Sequence, residues 1–94
     1  MNLAELRKRK AEILAIAARN GISDIRVFGS VARGEDAPES DVDLLVKVGE
    51  DVGIEFFGFH LDMEDLLGCK VDVVSDRAVN KYIRDRIFSE AVQL

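Results

Sequence analysis

An α/β fold is predicted, a small sheet of three main strands with helices packed mainly on one face. Three observations carry this. Short apolar runs of strand length stand at residues 24–28, 42–48 and 70–74. Stretches with helical spacing of apolar residues lie before and between them and fill the C-terminal part. Glycines stand where the periodicity switches, at Gly21, Gly29, Gly49 and Gly68.

The elements follow in order. Asn2 and Glu5 are spaced as a capping box, with Leu3, Leu6, Ile13 and Ala17 as an apolar stripe that Lys10 interrupts. Arg19 and Gly21 read as the helix end. Residues 24–28 are the first strand, 30–34 a short helix and 35–40, with the only proline, Pro38, an exposed loop. Residues 42–48 are the second strand and 49–52 the turn out of it. Residues 54–67 form a helix with an apolar surface broad enough for burial on two sides or for a partner, ended by Gly68. The third strand is 70–74. The last helix is capped by Ser75 or Asp76, with Val79, Ile83 and Ile87 as its inward stripe, and Val92-Gln93-Leu94 are expected to fray.

Composition excludes several classes. Ninety-four residues make one domain, 1–94. No apolar stretch nears the ~20 residues of a membrane span, and MNLAELRKRK lacks the order of a signal peptide, so a cytoplasmic location is expected. The net charge of −5 disfavours a nucleic-acid substrate gripped by this chain alone. The cluster Arg7-Lys8-Arg9-Lys10 therefore reads as a solvated helix face. A single cysteine, Cys69, excludes an intrachain disulfide and reads as a small packed residue. His60, the one histidine, lies mid-helix in a surface or packing role.

The chemistry concentrates between Gly29 and Asp43, GSVARGEDAPESDVD. Asp41 and Asp43 fall on one face of a strand, roughly 5–7 Å apart, while Val42, Leu44, Val46 and Val48 fall on the other. Two carboxylates so placed repel by about 3 kcal/mol at an effective dielectric of 20, and a hard cation such as Mg²⁺, completed by substrate phosphates, suits them. At the near end, Gly29 lets a ligand approach the backbone, and Ser30 offers a helix cap or a hydroxyl donor to phosphate. Arg33, one turn on, reads either as a triphosphate or partner contact or as a surface arginine pairing with Glu35 or Asp36.

Gly29-Ser30, ten residues, then Asp41-Val42-Asp43 resembles the glycine-serine and paired-aspartate signature of DNA polymerase beta-like nucleotidyltransferases. GSVARGE and SDVDLLV are similar to their minimal, antitoxin-type branch, and the likeness runs from about Leu3 to the C-terminus. The resemblance implies a mixed, strongly twisted sheet. It implies a third carboxylate on a neighbouring strand, a position that Asp72, set among valines, matches. It implies AMP transfer from ATP with two Mg²⁺ ions held by Asp41, Asp43 and Asp72, and Gly29 and Ser30 at the nucleotide, where Arg33 would join them on the first of its two readings. It implies a HEPN-domain toxin as partner and acceptor, through a tyrosine hydroxyl. Two other classes stay open: a non-catalytic binding antitoxin, and a transferase for small molecules of the aminoglycoside kind. A homo-oligomer is compatible with all three.

Overall fold

The computed structural model describes residues 1–35, 41–50, 53–78 and 81–94. Most of the predicted loop at 35–40, with Asp36 and Pro38, part of the turn at 49–52, and Val79 lie outside the described residues. Among the described residues, five helices and four strands run in the order α1 (Leu3–Lys8), α2 (Lys10–Arg19), β1 (Ile22–Phe28), α3 (Gly29–Arg33), β2 (Val42–Val48), α4 (Glu55–Leu67), β3 (Val71–Ser75), α5 (Lys81–Glu90) and β4 (Val92–Gln93).

The sheet is mixed, in the order β3-β2-β1-β4. β1 is antiparallel to β2 and to β4, and β2 is parallel to β3. The parallel pair requires a crossover, which α4 supplies. Alternation along each strand then sorts the side chains. Ile25, Val27, Val42, Leu44, Val46 and Val71 are buried on one face, packed with Phe59 and Met63 of α4 and with Leu6 and Ile13 from the N-terminal helices. On the other face the register sets Phe28, Asp43 and Asp72 in one row across β1, β2 and β3. Leu45, beside that row, is nevertheless buried. The Arg26 guanidinium of this face lies 5.8 Å from the ring of Phe88, so α5 reaches over part of it.

Several details differ from the sequence expectation. The N-terminal helix breaks at Arg9, with φ −101° and ψ 15°, one residue before the interrupting Lys10. Asn2 does cap α1: its Oδ1 accepts from the Glu5 N–H at 2.8 Å. The basic cluster is partly structural. Arg7 donates to the Gln93 carbonyl and Arg9 to the Leu66 carbonyl, both at 2.9 Å. The chain end does not fray. Val92 and Gln93 add a fourth strand to β1, and Leu94 is 5% exposed. The inward stripe expected for α5 is weak: Ile83 is 48% exposed and none of its described residues is buried. In α4 Phe59 is core, while Phe57 and Leu61, with Ile54 at the cap position before the helix, remain exposed as one stripe. Gly68 ends α4 in the left-handed region, as expected.

Candidate active site

Three local features build the site. β2 begins at Val42, whose N–H bonds to the Lys70 carbonyl, and its alternation turns Asp43 away from the core. Parallel pairing with β3 then sets Asp72 directly beside Asp43. At the end of β1 the chain turns through Gly29 at φ +73° into α3, which is pinned by the buried Val31. That turn brings the Gly29 backbone against the Asp43 carboxylate. A Cβ on Gly29 would lie 3.1 Å from Cγ of Asp43 and closer still to Oδ2, inside van der Waals contact. Glycine is required here twice, for its φ and for the approach.

The electrostatics single out Asp43. Burial, then the charges of Asp72 and Asp41 and a hydrogen bond with Asp72, push its carboxyl up to about 6, against a weaker opposing pull from Arg33. Raised carboxyls of this kind mark places where a cation is wanted. Asp41, just before β2, is half-buried and leans toward Lys70, with 3.8 Å between Oδ2 and Nζ. In this arrangement no three acidic, histidine or cysteine side chains among the described residues enclose a metal position. The donors nevertheless fit a hard divalent ion. They are all carboxylate oxygens, two sit in register with one disfavouring its own charge, and an exposed ion pair like Asp41–Lys70 is worth under ~1 kcal/mol, so Asp41 is readily freed.

The phosphate side is arranged differently from the expectation. Ser30 does not cap α3: the helix is bounded at Gly29, and Phe28 holds the cap position with no side-chain cap bond. The Ser30 carbonyl accepts from Glu35 N–H at 2.9 Å, and its hydroxyl has no partner among the described residues. Arg33 pairs with Glu35 (Nε to Oε2, 2.9 Å) and with Glu90 (Nη1 to Oε1, 2.6 Å). Glu90 also accepts from the Gly29 N–H at 3.2 Å. Glu90 had no signal in the sequence, being 57 and 61 positions from its two donors. His60 pairs with Glu64 at 3.3 Å within α4, and Cys69 is a half-buried free thiol. Among the described residues no helix is long and apolar enough to cross a membrane.

Comparison with known proteins fits this geometry. The nucleotidyltransferase domain family matches residues 9–93. Protein adenylyltransferase MntA of Thermococcus cleftensis is 37% identical over 75 residues, 79% of this chain and 76% of that protein. A Methanocaldococcus jannaschii protein, MJ0435, provisionally named a protein adenylyltransferase, is 33% identical over 100% of this chain and 99% of its own. A solved structure provisionally named a minimal nucleotidyltransferase superposes with a TM-score of 0.89 at 42% identity, over 100% of this chain and 97% of that one. Two more distant structures share the fold. One is a toxin–antitoxin with AMP-PNP (TM-score 0.75, 21% identity, 88% of this chain and 69% of that one). The other is the tri-AMPylated Shewanella oneidensis HEPN toxin in complex with an MNT antitoxin (TM-score 0.69, 18% identity, 93% and 69%). A mixed four-stranded sheet carrying the Gly29 turn against Asp43 thus agrees with relatives that align from end to end, and the chain belongs to the minimal nucleotidyltransferases of the nucleotidyltransferase domain family.

Proposed function

We propose that residues 1–94 act as one minimal nucleotidyltransferase domain that moves AMP from ATP to a tyrosine hydroxyl of a HEPN-domain toxin, and so serve as its antitoxin. The observation that carries this is the in-register pair Asp43 and Asp72 lying against the Gly29 turn. The naming of the relatives as protein adenylyltransferases, and the HEPN toxin and AMP-PNP in structures of the same fold, support the donor and the partner.

In this reading Gly29 N–H, the Ser30 hydroxyl and Arg33 hold the β- and γ-phosphates. Asp41, Asp43 and Asp72 would hold two Mg²⁺ ions, which would supply positive charge to the phosphates and acidify the acceptor hydroxyl. The acceptor oxygen bonds to the α-phosphorus as the bond from that phosphorus to the bridging oxygen breaks, and pyrophosphate leaves. Asp72 takes the acceptor's proton. Charge on Asp43 disfavours itself until a cation is present, so the site is poised for metal-bound nucleotide. Ile54, the cap residue of α4, with Phe57 and Leu61 on the helix, would give the toxin an apolar surface, and the acidic chain suits a basic, RNA-cleaving partner.

A binding-only antitoxin is favoured by one observation: Gly29 N–H and Arg33 are already engaged by Glu90. Pyrophosphate release separates the two. With Mg²⁺ and ATP, release that depends on the cognate toxin supports transfer; a tightly bound pair that releases none supports binding alone.

A further inference from the structure

Glu90 is the last residue of α5, and 23% of its side chain is exposed. Its two oxygens meet two donors. Oε2 accepts from the Gly29 N–H at 3.2 Å, and Oε1 accepts from Arg33 Nη1 at 2.6 Å. The Arg33 bond and then the Gly29 N–H hold its carboxyl below the usual range, so it is charged.

These donors are the ones a phosphate would take. A carboxylate and a phosphate present the same kind of anionic oxygens to an arginine fork and a backbone N–H. The C-terminus of α5 carries partial negative charge and disfavours an acid there, and the Arg86 charge one turn back helps Glu90 less than Arg33 and the Gly29 N–H do. The acid is held by its long-range partners.

We propose that Glu90 is an internal stand-in for the triphosphate, occupying the Gly29 N–H and Arg33 until nucleotide displaces it, so that the Glu90 side chain gates the site. This rests on the assignment of Gly29 and Arg33 to the phosphates in the proposed function. The exchange is a side-chain movement. Glu90 turns about its own torsions, while the residues just beyond it are fixed, with β4 paired to β1 and Leu94 buried. Arg33 keeps Glu35 as a second acid when Glu90 leaves. In such an equilibrium the apparent affinity is the intrinsic affinity reduced by the fraction of open sites.

The full chain is titrated calorimetrically with Mg-ATP, with inorganic tripolyphosphate and with adenosine, as wild type, Glu90→Gln and Glu90→Ala. Both variants remove the competing charge, and Gln keeps the shape. The expected result is about tenfold tighter binding of ATP and of tripolyphosphate by both variants, with adenosine unchanged. If neither variant binds ATP and tripolyphosphate more tightly than wild type, the proposal is overturned, and Glu90 supports Arg33 rather than competing for it. Equal tightening for adenosine would also overturn it, because that reports a general repacking. If wild type and both variants all fail to bind tripolyphosphate and ATP, the assignment of Gly29 and Arg33 to phosphate fails and the gate falls with it.

Discussion

The Gly29 backbone lies directly against the carboxylate of Asp43, so close that a single added methyl would overlap it. This contact ties the turn after β1 to the first turn-out of β2, and it makes two distant parts of the sequence signature into one surface. Gly34 gives an internal control. It has the same φ of +73°, but a Cβ there meets nothing within 4 Å. Gly34→Ala should therefore show backbone strain alone, about 1 kcal/mol. Gly29→Ala should lose roughly 2–3 kcal/mol, because Asp43 or the turn must also shift. Thermal melts should place Gly29→Ala below Gly34→Ala by about 4–15 °C. Equal melting temperatures would mean that the approach is not tight in solution.

Asp43 should impose a pH-dependent loss of stability on the metal-free chain. Its folded carboxyl titrates at about 6 against 3.8 for the free group, so the folded state holds the proton more tightly. The stability from this group is complete below pH ~4 and is lost as pH rises through about 6. The shift corresponds to about 3 kcal/mol, reduced to about 1–2 kcal/mol because the side chain is only half-buried and screened. Asp43→Asn, which mimics the protonated form, should therefore be more stable than wild type at pH 8, and the two should converge below pH 4. Denaturation at both pH values checks this. A gap that does not change with pH would remove charge from the explanation.

Leu94→Ala should cost roughly 2–3 kcal/mol, as for a buried core leucine. Urea melts of this variant decide between a packed and a frayed chain end. A change under about 0.5 kcal/mol would restore the frayed end that the sequence suggests.

Leu94 also shows where the sequence was legible and where it was not. Strand and helix identities followed from period: Val42–Val48 alternates, and α4 repeats on a helical spacing. Asp41 and Asp43 could be set on one face by alternation alone, and Asp72 stood out as an acid among valines. Three features were not readable because they depend on tertiary contact. A two-residue strand has no period, so β4 appeared only as a tail. Asp41's lean toward Lys70 depends on the pairing of β2 with β3. The Glu90 contact joins residues 57 and 61 positions apart through the placing of α5 over the sheet. Nor did Ser30 cap α3: Phe28 holds the cap position, with no side-chain cap bond.

The central claim is that the carboxylates perform AMP transfer to a protein partner. Its most direct measurement is intact-mass spectrometry of the cognate HEPN-domain protein after incubation with this chain, ATP and Mg²⁺. Wild type should add one or more AMP units to the partner, on tyrosine. Asp43→Asn and Asp41→Asn should bind the partner as well as wild type but add no mass, since in the proposed mechanism each removes a metal ligand and so lowers the rate by orders of magnitude. Partner inhibited by wild type with no mass gain, and inhibited equally by Asp41→Asn, would contradict the enzymatic account and leave an antitoxin that acts by binding alone.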